Sequence, residues 1–297
     1  MYAGNFSLPD PSHPIMTTQE FQQLRDLIYA HTYLCYTEAQ KPILERKVRS
    51  RMALLSCPSF ANYYALLTNP HEGQQELTHL IDHLAVHETS FFRISGHFSG
   101  LQHQVFPALM NAPSGRQTPI RVWSAGCSTG EEPYSIVIAF LEMMAHRKIP
   151  TSSSHLFHVL ATDISLPILQ KAQEGRYSQK QLKKVQQALL DKYFICHDHY
   201  YDIREEIKKF VNFSVFNLVQ AETLPNTSFD IIFCRNVLIY FDRRAQAQLL
   251  AKFVQMLPDG GYLFLGDAES MHTFPESAQH VEFVESGNAI IYQKRGV

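Results

Sequence analysis

A glycine-rich turn with two consecutive acidic residues is the segment of this sequence best suited to bind a ligand. Val122–Ser135 reads VWSAGCSTGEEPYS, so an apolar run is followed by Gly126, Gly130, Glu131 and Glu132. Glycine permits a tight turn and a close approach of a ligand to the backbone. No lysine follows the second glycine and the G-x-G-x-x-G spacing is absent, so neither a P-loop nor a dinucleotide site is favoured. The two carboxylates could pair with a cationic or amino-bearing ligand, or they could only offset the dipole of the following helix.

Polar side chains also follow two other apolar runs. Asp163 ends the sequence ATD, where an acid suits either the hydroxyl groups of a ribose or the N-cap of the next helix. Arg235 and Asn236 come directly after the run Phe229–Cys234, and Tyr240 follows shortly. If these polar groups are buried they need hydrogen-bond partners, either a ligand or a network that closes the sheet edge.

An arginine after two aromatic residues is a fourth candidate. Arg93 ends the sequence HETSFFR, which begins at His87 between a helical and an α/β part of the chain. Ligand pockets form preferentially at domain boundaries. Arg93 is therefore interpreted as a ligand-binding residue rather than an ordinary surface arginine.

Two kinds of domain are predicted to position these candidates. Apolar residues at helical spacing predict four N-terminal helices, at about 18–30, 41–55, 59–67 and 74–86. The predicted domains are a helical domain over 1–86, a connector carrying HETSFFR over 87–118, and an α/β domain over 119–297.

The α/β domain alternates short apolar strands with helices, which predicts a doubly wound, mostly parallel sheet. Ser178 is predicted to cap a helix that ends at Tyr193. At the C-terminal end, Val281–Glu285 and Ala289–Gln293 are separated by Ser-Gly-Asn, which predicts an antiparallel hairpin. The ligand-binding candidates then lie at the carboxyl ends of parallel strands, where such sheets bind ligands.

Composition argues against several classes of protein. The 297 residues include 26 basic and 28 acidic side chains, a net charge of −2, and the charged fraction of 18% lies below the average of roughly 25%. This balance argues against a disordered chain and a nucleic-acid partner. Five cysteines without C-x-x-C spacing predict reduced thiols. No signal peptide or long apolar run is present, which predicts a cytoplasmic protein with no membrane insertion.

Three weaker signals have alternative interpretations. The stretch 41–51 holds five basic residues and one acid, a local charge of +4, which indicates either a docking surface or a solvated helix face. The sequence CHDH at 196–199 resembles a metal-ligand set, but no second cluster accompanies it, so we interpret it as a polar loop and predict no metal. Cys127 and Cys234 have no flanking base to activate them and are interpreted as packing residues.

The motifs HETSFFR, AGCSTGEEPYS, ATD, EGRY, FCRNVLIYF and GYLFLGDAES, in this order, resemble the CheR family of chemoreceptor glutamate O-methyltransferases. The resemblance runs from about residue 18 to the C-terminus. It implies a small N-terminal all-helical domain, a Rossmann-like methyltransferase domain and a small inserted β-subdomain. It also implies methyl transfer from S-adenosylmethionine, with S-adenosylhomocysteine as product, to glutamates on the cytoplasmic helical domain of chemoreceptors.

The resemblance implies site residues position by position. Together with Gly126, the residues implied to bind the cofactor are His87, Thr89, Arg93, Glu132, Asp163, Asn217, Leu218, Arg235 and Asn236. Arg93 and Tyr240 are implied to face the point of methyl transfer as catalytic residues. The residues implied to dock on an acidic receptor helix are Lys41, Arg46, Lys47, Arg49 and Arg51. Glu269 matches a family position for which a structural role is favoured.

Two positions depart from the family pattern. His87 stands where asparagine is commoner, which makes its hydrogen bonding dependent on pH. The insertion near 194–211 is short for the family's β-subdomain, so docking of a receptor C-terminal pentapeptide is not carried over. The alternatives to a receptor methyltransferase are a non-catalytic adaptor that binds S-adenosylmethionine and a methyltransferase for a small molecule or RNA.

Overall fold

The computed structural model describes residues 15–111, 118–150, 157–223, 228–287 and 289–296. The chain divides into two compact units, Met1–Ala85 and Val86–Val297. Among the described residues, every helix is too short or too polar to span a lipid bilayer.

The first unit is helical, as the periodicity predicts. From residue 15 onward its α-helices are α1 (Thr18–Thr32), α2 (Lys41–Leu54), α3 (Phe60–Leu67) and α4 (Gly73–Leu84). The start of α1 is fixed by a capping box, in which the Thr17 hydroxyl accepts from the Glu20 backbone and the Glu20 carboxylate accepts from the Thr17 backbone N–H at 2.8 Å. The buried positions of α2 are Leu44, Val48 and Met52, which belong to the predicted apolar stripe.

The second unit contains a seven-stranded sheet. Its strands are β1 (Ile120–Ala125), β2 (Phe157–Asp163), β6 (Val211–Val215), β7 (Ile231–Cys234), β8 (Tyr262–Leu265), β9 (Val281–Ser286) and β10 (Ala289–Lys294). The order across the sheet is β6-β2-β1-β7-β8-β10-β9. The first five strands are parallel, and β10 runs antiparallel to both of its neighbours, β8 and β9. The predicted parallel sheet and its terminal hairpin are confirmed.

Packed side chains cover both faces of this sheet. Ile120 and Val122 point into one apolar cluster, whereas Trp123 and Ala125 of the same strand point into another. The helices of the unit are α5 (Ser95–Gly100), α6 (Phe106–Met110), α7 (Glu131–His146), α8 (Leu166–Glu174), α9 (Gln187–Tyr193), α10 (Glu205–Lys208), α11 (Arg243–Met256) and α12 (Pro275–Ala278).

The segment 87–118, predicted as a connector, contains folded structure. Helices α5 and α6 lie in it, joined by one π-helical stretch over Leu101–Val105. Phe91 and Phe106 are fully buried in the core of the second unit. The sequence does not predict this because the helices are short and irregular, so they show no clear periodicity. The segment folds because its aromatic residues pack into the core. Residues 112–117 of the predicted connector lie outside the described residues.

A second, smaller sheet is inserted between β2 and β6. It consists of β3 (Arg176–Ser178), β4 (Phe194–Cys196) and β5 (Tyr200–Ile203), which are antiparallel in the order β3-β5-β4. The insertion therefore begins earlier than the predicted 194–211. The predicted helix from Ser178 to Tyr193 is wrong in its first half, because Ser178 ends a strand and the helix starts at Gln187.

Candidate active site

The candidate ligand-binding residues of the α/β unit gather at one edge of the large sheet. Strand β1 lies between β2 and β7, and all three are parallel, so their carboxyl ends meet there. The chain runs from β1 outward to β2 and later returns to the other side of β1 with β7. Such a reversal of strand order opens a crevice, and ligands of open α/β sheets bind in it.

The turn after β1 needs both of its glycines. Gly126 has φ +77° and Gly130 has φ +91°, in the left-handed region that favours glycine. A Cβ atom on Gly126 would lie 2.5 Å from Cγ2 of Val237, so this glycine also gives space to the loop after β7. The backbone N–H of Gly126 donates to the carbonyl of Thr162 at 2.8 Å, which joins the turn to the end of β2.

Asp163 at the end of β2 is buried and holds the same turn. Its Oδ2 accepts a hydrogen bond from the Ser128 backbone N–H at 2.9 Å, and its Oδ1 accepts one from Ser165 at 3.1 Å. Burial raises the pKa of Asp163, and these backbone hydrogen bonds partly offset the effect. The Ser128 hydroxyl donates to the His87 carbonyl at 3.1 Å, which brings the HETSFFR segment to this end of the sheet. Each Asp163 oxygen keeps further capacity to accept a hydrogen bond, as from a ribose hydroxyl.

Glu132 and Arg235 form a buried ion pair across the crevice. Nη1 of Arg235 lies 3.2 Å from Oε2 of Glu132, and the Ser124 hydroxyl donates to Oε1 at 2.8 Å. Burial raises the pKa of Glu132 and lowers that of Arg235, while the charge of each partner opposes the shift of the other. The pair therefore links the first turn of α7 to the end of β7.

Glu131 is buried too, but its partners lie in the Gly-rich turn and the insertion. The Thr129 hydroxyl donates to its Oε2 at 2.6 Å, and the Gln181 side chain donates to its Oε1 at 3.0 Å. Burial raises the pKa of this carboxyl. Of the two acids singled out in the sequence, Glu131 thus fastens the insertion to the Gly-rich turn.

Arg93 and Tyr240 lie next to the buried pair. Nη2 of Arg235 donates to the carbonyl of Arg93, and Nη1 of Arg93 donates to the carbonyl of Glu88 at 3.0 Å. Tyr240 ends the 3₁₀ turn Leu238–Tyr240 and is half-buried. Burial raises the pKa of Tyr240, and the positive charge of Arg93 acts in the opposite direction. The structure therefore brings together these two residues, which are far apart in the sequence.

Asn236 combines an unusual backbone with an unpartnered amide. Its φ is +59°, and its buried Oδ1 has no hydrogen-bond partner within the described residues. Its backbone N–H donates to Oε2 of Glu269 at 2.8 Å. From the sequence alone Glu269 is predicted to have a structural role, and its proximity to the ligand-binding edge depends on the pairing of β7 with β8.

The remaining predicted cofactor residues lie at the ends of β6 and in the HETSFFR segment. Asn217 follows β6, and its Oδ1 accepts from the Val219 backbone N–H at 3.1 Å. Leu218 is buried. The neighbouring Phe216 backbone donates to the Asp163 carbonyl at 2.9 Å, which ties this segment to β2. Thr89 is half-buried.

Two family models match consecutive parts of the chain. "CheR methyltransferase, all-alpha domain" matches residues 19–85, and "CheR methyltransferase, SAM binding domain" matches residues 87–286. The chain belongs to the CheR methyltransferase family. This confirms the predicted family and the Rossmann-like methyltransferase fold with its helical domain. It also confirms S-adenosylmethionine as the cofactor.

Curated CheR relatives match over most of their length. The chain is 33% identical over 258 residues to the chemotaxis protein methyltransferase of Borreliella burgdorferi, which covers 86% of this chain and 89% of that protein. It is 34% identical over 259 residues to chemotaxis protein methyltransferase 2 of Vibrio cholerae, covering 86% and 87%. The Escherichia coli chemotaxis protein methyltransferase is 31% identical over 260 residues, covering 86% and 85%.

The residues of this CheR site fit S-adenosylmethionine by their chemistry. Asp163 offers acceptor capacity for ribose hydroxyls, and the buried Asn236 amide oxygen and Arg235 Nε lack partners within the described chain. Unpaired buried polar atoms are rare because each costs free energy, so a polar ligand at this edge would satisfy them. Asp163, Asn236 and Arg235 are therefore the residues that would hold the cofactor, with Glu132 supporting Arg235.

The basic residues of α2 differ in their availability for a partner. Arg46 is exposed and Lys41 is half-buried. Lys47 donates to the Leu84 carbonyl at 2.8 Å, and Arg49 forms an ion pair with Glu45 within the helix. Arg51 is the most committed of the five, since it binds a buried carboxylate of α4, Glu76, at 2.6 Å.

The CHDH sequence lies in the inserted sheet. His197 pairs with Asp202 at 3.2 Å and stacks on Tyr200. In the described ranges, no group of three or more His, Cys, Asp and Glu side chains is placed to hold a metal ion. Cys127 and Cys234 are buried beside the crevice, and burial raises the pKa of both thiols.

Proposed function

We propose that this chain transfers a methyl group from S-adenosylmethionine to glutamate side chains on the cytoplasmic helical domain of chemoreceptors. The observation that carries the proposal is its membership of the CheR family along both units. The names of its curated relatives, which are chemotaxis protein methyltransferases, support the same activity. Since such receptor domains lie in the cytoplasm, the protein would act there.

Methyl transfer to a carboxylate requires no proton transfer by the protein. A glutamate carboxylate has an ordinary pKa near 4.3 and is ionised at neutral pH, so no general base is required. When bound, S-adenosylmethionine supplies an electrophilic methyl group on a positively charged sulfur, so a C–O bond forms as a C–S bond breaks. The products are a glutamate methyl ester and S-adenosylhomocysteine.

The residues of the crevice contribute by orienting the acceptor. The Arg93 guanidinium attracts an acceptor carboxylate, and the nearby Tyr240 hydroxyl can donate a hydrogen bond to it. Arg235 holds the Arg93 backbone in place through the Arg93 carbonyl. Positioning of this kind accounts for roughly 7–11 kcal/mol of barrier lowering in the best-oriented reactions.

The helical unit would supply recognition of the receptor. The exposed Arg46 on α2, with Lys41 one helical turn and a half earlier, offers positive charge to an acidic receptor helix. Because Lys47, Arg49 and Arg51 have partners within the unit, we propose that Arg46 and Lys41 carry most of the docking.

The test is incubation of the protein with radiolabelled S-adenosylmethionine and membranes that contain chemoreceptors. Base-labile label on a receptor band is the expected result, because a methyl ester is hydrolysed by base. R93A protein, tested for S-adenosylhomocysteine binding, serves as the matched control. Cofactor binding without any label would indicate an adaptor instead. Base-stable label on RNA or a small molecule would indicate a different methyltransferase.

A further inference from the structure

Glu269 lies in the turn after β8 and collects four backbone hydrogen bonds. Its Oε2 accepts from Gly266 at 2.6 Å and from Asn236 at 2.8 Å. Its Oε1 accepts from Val237 at 2.9 Å and from Ile239 at 3.4 Å. The residue is only 9% exposed. One side chain from the end of β8 thus holds most of the turn that follows β7.

The arrangement requires a carboxylate. An ionised carboxylate only accepts hydrogen bonds, and both of its oxygens here receive backbone donors. A glutamine would turn one oxygen into an NH₂ group and place it against backbone N–H groups, which would leave buried donors unsatisfied. The turn that Glu269 holds begins beside Arg235 and ends at Tyr240.

Asn236 is the residue in this turn whose conformation most needs support. Its φ of +59° lies in the left-handed region, which residues other than glycine adopt at a cost. Gly266 makes room for Asn236 and Glu269, because it has no side chain. A Cβ atom there would lie 2.8 Å from Oε2 of Glu269 and 3.0 Å from Cγ of Asn236. The Glu269 carboxylate and Asn236 can therefore both lie close against Gly266.

We propose that Glu269 is a positioning residue of the cofactor site, which fixes the turn at Asn236–Ile239 so that the Asn236 amide can bind S-adenosylmethionine. The unpartnered, buried Oδ1 of Asn236 is the group that the cofactor would satisfy, within the described part of the chain. The inference rests on the proposed function, because it assigns to Asn236 a cofactor role that the family resemblance implies.

The test is titration calorimetry of S-adenosylhomocysteine with the full-length wild type and the variants E269Q, N236A and N236A/E269Q. We expect E269Q to raise the Kd about tenfold or more, since hydrogen bonds that involve a charged group contribute on that scale. We expect N236A to raise the Kd as well. The double variant should bind no more weakly than whichever single variant binds more weakly, because both changes remove the same contact between Asn236 and the cofactor. E269D, which keeps both oxygens, should recover part of the affinity.

D230N is the matched control. Asp230 is a carboxylate at the opposite end of β7, where it accepts from the Arg121 backbone at 2.8 Å. D230N should leave the Kd unchanged even if it lowers the melting temperature. If E269Q does not fold, G266A gives a second test, because it keeps the carboxylate but crowds Oε2, and it should also raise the Kd.

Three results would overturn the inference alone: an unchanged Kd in E269Q, an unchanged Kd in N236A, or effects that multiply in the double variant, as two independent changes do. A wild-type protein that binds S-adenosylhomocysteine but labels no receptor would instead contradict the proposed function and leave this test intact. A wild-type protein that binds no S-adenosylhomocysteine would overturn both.

Discussion

Arg235 at the end of β7 and Glu132 in the first turn of α7 form an ion pair of 3.2 Å, with side chains only 2% and 12% exposed. The pair joins two elements that are 103 residues apart in the chain, on the two sides of the crevice. Arg235 also lies over the ring of Phe98, with 5.6 Å from Cζ to the ring centroid. The pair therefore ties the two sides of the crevice together.

Removing one partner of this pair should destabilise the protein strongly. E132A would leave the Arg235 charge buried without its counter-ion, which costs roughly 3–5 kcal/mol. Urea denaturation of the full chain measures the loss. K192A breaks a surface pair with Glu142 of the same helix, whose carboxylate keeps the Tyr193 hydroxyl as a partner, and should cost less than about 1 kcal/mol. If both variants lose a similar free energy of unfolding, the buried Glu132–Arg235 pair contributes no more to stability than a surface pair.

Cofactor affinity should depend on pH through Asp163. Because burial raises its pKa, the folded protein without ligand binds this proton more readily than the unfolded chain. The stability that this group contributes is therefore present at low pH and lost as pH rises through the raised pKa. A ligand hydroxyl that donates to the ionised carboxylate has the opposite preference.

Calorimetry with S-adenosylhomocysteine should accordingly give weaker binding as pH falls through the raised pKa of Asp163. D163N should bind weakly and lose most of this dependence. H87N, which removes the neighbouring imidazole, should retain it. A steep pH dependence in D163N would assign the effect to another group.

Arg93 and Tyr240 should affect methyl transfer more than cofactor binding. In single-turnover assays at saturating S-adenosylmethionine, we expect R93A and Y240F each to slow transfer by roughly a hundredfold, the scale of a misplaced reactant. R244A, which removes an exposed arginine of α11, is the control and should keep the wild-type rate. Wild-type rates in both R93A and Y240F would remove these residues from the catalytic role.

Receptor docking should depend on Arg46 and Lys41 of α2. R46E reverses a charge on an exposed side chain and should raise the KM for receptor while leaving kcat nearly unchanged. K41E should act in the same direction. The effect should weaken at high salt, because exposed charges are screened. An unchanged KM in the double variant K41E/R46E would exclude docking through these two residues.

Arg51 should behave differently from Arg46, although both belong to the same basic stretch. Burial alone would raise the pKa of Glu76, but hydrogen bonds from Arg51 and Tyr63 outweigh it and lower that pKa. R51A would leave this carboxylate without its cation, at a cost of roughly 3–5 kcal/mol in the free energy of unfolding. The measurement is urea denaturation, with R46A as the control that should be nearly neutral.

The elements that sequence predicts well are those whose signal is local. The stripe of α2 and the apolar run of β1 depend on neighbouring residues, so periodicity locates both. The helix expected from Ser178 fails because Ser178 pairs with Tyr200 across the small sheet, a contact that local pattern does not encode. The folded structure within 87–118 is missed for the same reason, because its aromatic residues are buried through contacts with distant parts of the chain.

The candidate site shows the same limit. The sequence can suggest Asp163, Arg235 and Asn236, because they stand at the ends of apolar strands and within recognisable motifs. The sequence does not show whether Glu131 or Glu132 pairs with Arg235, because the two acids are adjacent and both are buried. Only the fold shows that Glu132 contacts Arg235 and that Glu131 contacts Gln181. Glu269 could not be linked to Asn236, because the link depends on β7 pairing with β8.

The two buried cysteines beside the crevice bear on selectivity. Cys127 and Cys234 are at most 1% exposed, and burial with nearby carboxylates raises the pKa of both thiols well above the ordinary value. A thiolate is the nucleophilic form of cysteine, and a neutral thiol reacts far more slowly. Beside an electrophilic methyl donor, these two sulfur atoms are thereby kept from competing with the acceptor, which protects the crevice from alkylation at Cys127 and Cys234.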